Sequence, residues 1–246
     1  MDAQVGLQPG TSRVVTLKSG RRLGVAQFGD PDGIPVIALH GAPASRLMFD
    51  VAESHARAAG LRLIAFDRPG YGLSPLDYGA NLSSRTETFA ELPEALGIER
   101  CAILGISGGA PYAVALAARL GRQVTALGLV SPLGPVADLV CSGPDALQIT
   151  TAHRWFFIDL PRHPWVLRLN AEITARSFRL APKFFASMFL HVLPKADREI
   201  LERPDVQTSM IDMTMEATRH GISGGVADLE IYGEPWHVNY GTLTAP

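Results

Sequence analysis

A serine between closely spaced glycines is the feature of this sequence best suited to covalent chemistry. Ser107 is the central residue of Gly-Ile-Ser-Gly-Gly at positions 105–109, which matches the pattern G-x-S-x-G. The pattern is typical of a tight turn between a strand and a helix, where only small residues fit two positions before and after the serine. The turn exposes the hydroxyl, and the N–H of the next residue can face an oxygen that gains negative charge. The sequence therefore predicts a nucleophile at Ser107.

The segments around Ser107 supply the strand and the helix that this turn requires. An apolar run at 101–106 precedes it, and a helix-like segment from Pro111 to Leu120 follows it. Such a turn can also serve only to pack a helix closely on a strand, or can bind phosphate at the helix start. The glycine patterns of phosphate-binding loops, G-x-x-x-x-G-K-[ST] and G-x-G-x-x-G, are absent here.

A second copy of the same five letters lies at 221–225 and contains Ser223. It follows the polar, helix-like residues 213–220, and no apolar strand precedes it. Because the motif has meaning only between a strand and a helix, we do not expect Ser223 to be a nucleophile. We interpret the second copy as the end of a helix and a loop, with Gly221 as the C-cap.

Short apolar runs alternate with helix-like segments through the first half of the chain. The predicted strands are 12–17, 22–28, 35–39, 61–66, 101–106 and 124–130. The predicted helices are 46–59, 83–96 and 111–120, and Ser45 can cap the first of them. This alternation is typical of an α/β fold, with a mostly parallel, doubly wound sheet covered by helices on both faces.

The pattern changes after Ser131. Residues 132–220 contain no convincing strand, carry most of the large apolar side chains, and are divided into short helices by prolines. Each aromatic residue at helical spacing indicates core packing rather than a binding site. As a block, however, a helical insertion after a sheet strand predicts a lid over a pocket at the carboxyl ends of the strands.

The composition gives no reason to expect a nucleic-acid or membrane partner. The 246 residues carry a formal net charge of −2, no run of about 18 apolar residues, and no signal-peptide pattern in the first residues. The two cysteines, Cys101 and Cys141, are too few for a disulfide framework and have no metal-binding spacing. We expect a cytoplasmic protein without cofactor or metal, and the sequence does not indicate an oligomeric state.

Three motifs occur in order at the ends of predicted strands. They are His-Gly-Ala-Pro-Ala-Ser-Arg at 40–46, Phe-Asp-Arg-Pro-Gly-Tyr-Gly-Leu-Ser at 66–74 and Gly-Ile-Ser-Gly-Gly-Ala-Pro-Tyr-Ala at 105–113. Together they make residues 12–131 resemble the α/β-hydrolase fold superfamily, in particular its bacterial esterase-like members with a helical cap. The resemblance implies a core of residues 1–131, a cap of residues 132–225 and a return towards the core at 226–246.

The resemblance also implies roles for individual residues. Ser107 would be the nucleophile, and the backbone N–H groups of Gly108 and Ala42 would form the oxyanion hole. His40 and Gly41 would position the loop that carries Ala42. A serine rather than an aspartate at the nucleophile position argues against the haloalkane dehalogenase and epoxide hydrolase branches. Structural roles in the next loop are implied for Asp67 and Arg68.

The acid and the histidine of this family have no clear match. In the family they follow the nucleophile in that order, each after a later strand. Residues 230–246 resemble the return from cap to core, and no such strand follows them. We expect the last sheet strands, the acid and the histidine to be missing, which is typical of a C-terminally truncated hydrolase with an exposed apolar sheet edge. The residues left as candidate substitutes are Asp138, His153, His163, His191, His220 and His237.

Two classes of function follow from these residues. The first is a hydrolase that cleaves a small apolar ester or related carbonyl compound through an acyl-enzyme, with a peptidase or a C–C bond hydrolase as variants of the same chemistry. For this class the missing acid and histidine predict that the chain as given is inactive. The second is a non-catalytic pocket that holds an apolar small molecule under the cap. The intact turn at Ser107 favours the first class, and the missing acid and histidine favour the second.

Overall fold

The computed structural model describes residues 10–141, 150–191 and 194–243. The strands of this part of the chain are β1 Ser12–Thr16, β2 Arg22–Gly29, β3 Ile34–Leu39, β4 Leu61–Phe66, β5 Cys101–Ile106 and β6 Val124–Val130. Each predicted strand is present, with bounds within one residue of the prediction, because a short apolar run between turn residues specifies a buried strand locally.

The six strands form one mixed sheet in the order β1-β2-β4-β3-β5-β6. β2 runs antiparallel to β1 and β4, whereas β4, β3, β5 and β6 run parallel to one another. Leu39 at the end of β3 pairs with Phe66 on one side and with Gly105 on the other. The loops that follow β3, β4 and β5 therefore begin side by side at the carboxyl ends of the strands, where ligands bind in α/β folds.

Helices account for most of the remaining described residues. They are α1 Glu53–Ala58, α2 Leu82–Ala95, α3 Ala110–Leu120, α4 Val136–Cys141, α5 Thr151–Arg154, α6 Pro164–Leu180, α7 Pro182–His191, α8 Lys195–Leu201, α9 Pro204–Ala217 and α10 Ser223–Tyr232. The helix predicted at 46–59 forms as a 3-10 segment, Arg46–Ala52, followed by α1. Ser45 caps it as predicted, because its Oγ accepts the N–H of Leu47 at 3.4 Å.

Helices cover both faces of the sheet, as predicted. Alternate residues of β3 point to opposite faces: Ile37 belongs to a core cluster with residues of α2 and α3, and Ala38 belongs to a second cluster. Phe89 of α2 and Leu116 of α3 pack in the first cluster. Phe49, from the 3-10 segment, packs in the second. The sheet is therefore doubly wound.

β6 forms the edge of the sheet, and its exposure increases towards the site-bearing end. It pairs with β5 alone among the described strands. Leu129 is 40% exposed and Val130 is 49% exposed. This is the exposed apolar edge that the sequence predicts. No described helix is both long and apolar enough to cross a membrane.

The helical region after β6 contains no strand in its described parts, 132–141, 150–191 and 194–220, as predicted. Its last helix, α10, packs on the core: Ile231, Tyr232 and the following Trp236 belong to the same cluster as α2 and α3. The division of the chain into a core, a cap and a returning segment at residues 131 and 225 stays a prediction.

The interpretation of the second Gly-Ile-Ser-Gly-Gly copy as a loop is wrong in part. Gly221 does follow α9, with φ 94° and its N–H donated to the Thr218 carbonyl at 3.0 Å, so a helix does end before this copy. The C-cap predicted at Gly221 is wrong, because α9 ends at Ala217 and Thr218 is its C-cap. However, residues 223–225 form the first turn of α10 rather than a loop. Gly224 fits there because a side chain would collide: an added Cβ would lie 2.7 Å from the carbonyl carbon of Gly70.

Candidate active site

Ser107 occupies a sharp turn between β5 and α3. Its φ is 50°, in the left-handed region that non-glycine residues rarely adopt, and its side chain is exposed. The flanking glycines are required by packing. A Cβ on Gly105 would lie 2.6 Å from the Cβ of Ala113, and one on Gly109 would lie 2.4 Å from the Leu39 carbonyl oxygen. The local geometry therefore has the form that the G-x-S-x-G pattern predicts.

The loop after β3 lies directly beside Ser107. A Cβ added to Gly41 would lie 3.5 Å from the Cβ of Ser107, and one added to Gly108 would lie 3.1 Å from the Cβ of Ala42. The structure thus brings Ser107, Gly108, Gly41 and Ala42 together. Ser107, Gly108 and Ala42 line a cavity of about 540 Å³.

His40 is fully buried at the base of this loop. Its Nε2 accepts the backbone N–H of Arg68 at 3.1 Å, so the ring proton is on Nδ1, which donates to the Gly41 carbonyl at 2.7 Å. Burial and the neighbouring Arg68 cation hold the pKa of His40 well below its usual value of 6.5. His40 is therefore a neutral structural histidine whose two ring nitrogens are both occupied.

The loop after β4 is held by buried charges. Asp67 accepts the backbone N–H groups of Arg46 and Leu73, at 2.7 and 2.8 Å, and pairs with the Arg46 guanidinium at 2.7 Å. Arg68 is fully buried and donates to the carbonyl oxygens of His40 and Gly41. These contacts support the structural roles expected for Asp67 and Arg68.

Asp228 is an important residue that sequence reasoning missed. This fully buried carboxylate of α10 forms ion pairs at 2.7 Å with Arg68 and with Arg85. It also accepts the hydroxyl groups of Tyr71 and Tyr112. The Tyr232 hydroxyl lies 3.2 Å from the same carboxylate and donates its proton to the Gly108 carbonyl at 2.7 Å. Burial alone would raise the pKa of Asp228, but the two guanidiniums outweigh it and hold that pKa below its usual value. A sequence signal exists, because Asp228 is the acidic residue on the buried face of an otherwise apolar helix turn.

The cavity over Ser107 is enclosed by residues of the helical region. Phe156, Phe157, Leu160, Leu167 and Phe178 supply much of its apolar surface, and Leu229 and Tyr232 of α10 complete it on the core side. The polar side chains from the helices are those of Asn170, Thr174, Thr214, Thr218 and His153. Within the described part of the chain, no Asp, Glu, Lys or Arg lines the cavity.

No candidate base whose side chain the structure describes is in position at Ser107. Among residues that the structure describes, none forms a hydrogen bond with Ser107 Oγ. His153 lines the same cavity, but its Nδ1 is hydrogen-bonded to Thr150 Oγ1 at 2.7 Å and its ring stacks on Phe157. Asp138 instead accepts the backbone N–H of Trp236 at 3.1 Å.

Three other candidates, His163, His220 and His237, do not line the cavity, and the side chain of His191 lies outside the described residues. Of the two cysteines, Cys101 is a buried free thiol whose pKa burial raises to about 11. The side chain of Cys141 also lies outside the described residues. No group of three or more potential metal ligands occurs in the portion covered by the description.

Comparisons with curated proteins point to hydrolases and related enzymes. A non-heme chloroperoxidase of Streptomyces lividans is 30% identical over 164 residues, which are 61% of this chain and 59% of that protein. A proline iminopeptidase of Xylella fastidiosa (strain 9a5c) is 33% identical over 119 residues, 46% of this chain and 37% of that protein. The matched region thus spans less than two thirds of the length of either relative.

Solved structures and a family model agree on the fold. Epoxide hydrolase A of Mycobacterium thermoresistibile superposes with a TM-score of 0.68 at 20% identity, covering 96% of this chain and 80% of that one. A model of the alpha/beta hydrolase family matches residues 36–237, which include β3, the Ser107 turn and α10. This match extends over most of the chain, from the first parallel strand to the segment beyond Asp228. The chain therefore belongs to the alpha/beta hydrolase family.

Proposed function

We propose that this protein is a serine hydrolase that acts on small, uncharged carboxylic esters through an acyl-enzyme. The observation that carries the proposal is the position of Ser107, exposed on a strained turn that opens into the cavity of about 540 Å³. Maintaining a serine at φ 50° costs folding free energy, and such strain is concentrated at functional sites. Membership of the alpha/beta hydrolase family and the similarity to a proline iminopeptidase support the same proposal.

The geometry suits attack on a carbonyl group. Ser107 Oγ would bond to the ester carbonyl carbon, and the electrons of the C=O double bond would move to its oxygen. The hydroxyl proton of Ser107 would pass through water to the ester oxygen that leaves as the alcohol. That oxygen would lie near the backbone N–H groups of Gly108 and Ala42, which stabilise negative charge without reorganising. Collapse of the intermediate would release the alcohol and leave an acyl group on Ser107, which water would then hydrolyse.

The cavity walls indicate what kind of ester fits. A charged substrate group would lose its hydration on entry and would find no opposite charge among the described lining residues. An apolar acyl or alkyl group would instead pack against side chains such as Phe156, Leu160 and Phe178. The proposed substrates are therefore neutral, and a substrate with a protonated amine is disfavoured.

A second candidate function has its own supporting observation. An activated serine needs a base within hydrogen-bond reach, and none of the described residues bonds to Ser107 Oγ. A pocket that binds a neutral apolar molecule without cleaving it needs no base. The alternative is therefore a small-molecule-binding protein built on the same cavity.

Labelling with an alkyl fluorophosphonate separates the two functions, because the reagent forms a covalent bond only with an activated serine. We expect the wild-type protein to be labelled and to hydrolyse p-nitrophenyl butyrate, and Ser107→Ala to abolish both. Ser223→Ala is the matched control, since Ser223 lies in the same five-residue motif but starts a helix. Labelling that survives Ser107→Ala, or no labelling of a folded wild-type protein, would rule out the serine mechanism and favour the binding function.

A further inference from the structure

The loop that carries Ala42 is connected to α10 by a chain of buried polar contacts. The Gly41 carbonyl accepts a hydrogen bond from Arg68 Nη2 at 3.0 Å. Arg68 Nη1 donates to the carbonyl of His40 in the same loop. The guanidinium in turn donates through Nε and Nη2 to one oxygen of Asp228, at 3.0 and 2.7 Å. One arginine therefore links a helix near the end of the chain to the backbone beside the nucleophile.

The contact at the Gly41 carbonyl fixes the direction of the Ala42 N–H. The two groups belong to the same planar trans peptide unit, in which the C=O and the N–H point to opposite sides. Because the Gly41 oxygen points towards the buried Arg68 and also accepts His40 Nδ1 at 2.7 Å, the Ala42 N–H points away from both side chains. Ala42 itself lines the cavity beside Ser107. Holding the carbonyl therefore holds one of the two proposed oxyanion donors.

The second donor is held by a different element. The Gly108 N–H shares its peptide unit with the Ser107 carbonyl, which accepts the backbone N–H of Leu133 at 3.1 Å. That contact comes from the segment after β6 and does not involve Arg68 or Asp228. Gly108 is also linked to Asp228, because its own carbonyl accepts the Tyr232 hydroxyl at 2.7 Å and that hydroxyl lies 3.2 Å from Asp228. The peptide unit that carries the Gly108 N–H is anchored at Leu133, however, so it depends on Asp228 less directly than the Ala42 N–H does.

Asp228 determines where the Arg68 guanidinium sits. Both side chains are fully buried, and Asp228 is the carboxylate that pairs with Arg68 among the described residues. Tyr71 donates to the same carboxylate oxygen as Arg68, and the Tyr232 hydroxyl packs against that oxygen at 3.2 Å, so its position is fixed. Without the carboxylate, a buried cation would remain with only neutral carbonyl partners and would move or draw in water.

From these contacts we infer that Asp228 is a positioning residue: acting through Arg68, it aims the Ala42 N–H at the oxygen that gains charge during the reaction. The inference rests on the proposed function, since it assigns the Ala42 N–H a role in that chemistry. It extends the candidate site to α10, more than a hundred residues beyond the nucleophile in sequence.

Residual dipolar couplings of backbone amides test the inference without requiring activity. In Asp228→Asn, we expect the Ala42 N–H coupling to shift, because its orientation changes, while the Gly108 coupling, whose peptide unit is held at Leu133, shifts less than that of Ala42. Asp77→Asn is the matched control. It removes a carboxylate that pairs with Arg85 in the same cluster at 2.8 Å but does not contact Arg68. An unchanged Ala42 coupling in folded Asp228→Asn would overturn the inference.

The reaction with the fluorophosphonate gives a second readout. We expect Asp228→Asn to lower the maximal rate of Ser107 labelling by about tenfold or more, as loss of an oxyanion donor does, with the half-saturating probe concentration within twofold. Asp77→Asn should change neither value. Equal labelling kinetics in both variants would contradict the inference. If the wild-type protein is not labelled at all, the proposed function fails, and the couplings alone decide the positioning role.

A further variant covers the case in which Asp228→Asn does not fold. Arg68→Lys keeps a cation for Asp228, but its compact ammonium lacks the planar fork whose separate nitrogens reach Asp228 and the two loop carbonyls at once. We expect it to shift the Ala42 coupling in the same selective way. If Arg68→Lys leaves the Ala42 coupling unchanged, or if neither variant folds, Asp228 serves the stability of the whole fold and the positioning role is withdrawn.

Discussion

Gly70 and Gly224 lie in direct contact: a Cβ atom added to Gly70 would be 2.6 Å from the Cα of Gly224. Gly70 belongs to the loop after β4, and Gly224 lies in the first turn of α10, in the second copy of the Gly-Ile-Ser-Gly-Gly motif. The contact sets how close α10 comes to the sheet, and α10 carries Asp228. The second copy therefore has a packing role, and its resemblance to the nucleophile turn does not extend to its structure.

This contact predicts that Gly224→Ala destabilises the protein. The added Cβ would lie 2.7 Å from the carbonyl carbon of Gly70, so α10 or the loop must shift. Such overpacking costs about 1–3 kcal/mol of unfolding free energy. Urea denaturation followed by circular dichroism measures the change.

The adjacent glycine supplies the control. An added Cβ on Gly225 would meet only the Tyr71 hydroxyl oxygen at 3.7 Å, an ordinary contact. Since alanine favours helix over glycine, we expect Gly225→Ala to be neutral or to stabilise by up to about 1 kcal/mol. Equal destabilisation by both substitutions would show that the Gly70 contact is not what requires glycine at position 224.

The sequence was sufficient to predict the features that depend on local pattern. β4, β5 and β6 have the predicted bounds. A short apolar run bounded by turn residues, such as Leu61–Phe66, favours a strand over a helix because it is too short for a typical helix. The Ser107 turn was predictable for the same reason, because the glycine spacing reflects crowding within a few residues. The family model confirms the α/β-hydrolase assignment that followed from these motifs.

Features that depend on distant contacts were not predictable in this way. Gly224 and Gly225 disfavour a helix locally, yet α10 begins at Ser223 because Gly224 can pack directly against Gly70, which has no side chain. Asp228 pairs with Arg68 across 160 positions, and although its place in an apolar helix turn marks Asp228 as unusual, no local pattern identifies its partner. The role of His153 also depends on how the helical region folds over the sheet, which the sequence does not specify.

The buried His40 predicts a specific dependence of stability on pH. Its pKa in the folded protein is well below 6.5, whereas in the unfolded chain it is near that value, so the unfolded state binds more protons below pH 6.5. This contribution to stability is therefore fully present above pH 6.5 and is lost as pH falls. For one histidine the loss is about 1.4 kcal/mol for each pH unit that lies between the unfolded-state and folded-state pKa values.

Urea denaturation at several pH values, on wild-type protein and on His40→Asn, measures this contribution. The asparagine amide can replace Nδ1 as the donor to the Gly41 carbonyl, which helps the variant to fold. We expect the variant to be less stable at pH 7.5 but to lose less stability on acidification. Parallel pH profiles for the two proteins would show that His40 does not stay neutral in the folded state.

The position of His153 predicts that it is not the base for Ser107. Its ring is held by Thr150 and Phe157 in the helical region, and it makes no hydrogen bond to the serine. We expect His153→Ala to change the rate of fluorophosphonate labelling by less than about twofold, whereas removal of a general base costs about a hundredfold or more. A loss of that size, without a change in unfolding free energy, would assign the base to His153.

The uncharged cavity predicts a preference for neutral probes that a single substitution can alter. A fluorophosphonate with a butyl chain should label Ser107 faster than one that ends in a quaternary ammonium, because the cation finds no carboxylate in the described lining. Asn170→Asp adds a carboxylate there with almost no change in shape. Since Asn170 is exposed, solvent screens the new charge, and we expect the ratio of cationic to neutral labelling to rise only about two- to fivefold.

Glu172→Gln is the matched control for Asn170→Asp. It changes a charge on the same helix but outside the cavity, so it should leave the labelling ratio unchanged. An unchanged ratio in Asn170→Asp would mean that the cavity over Ser107 does not hold the probe chain.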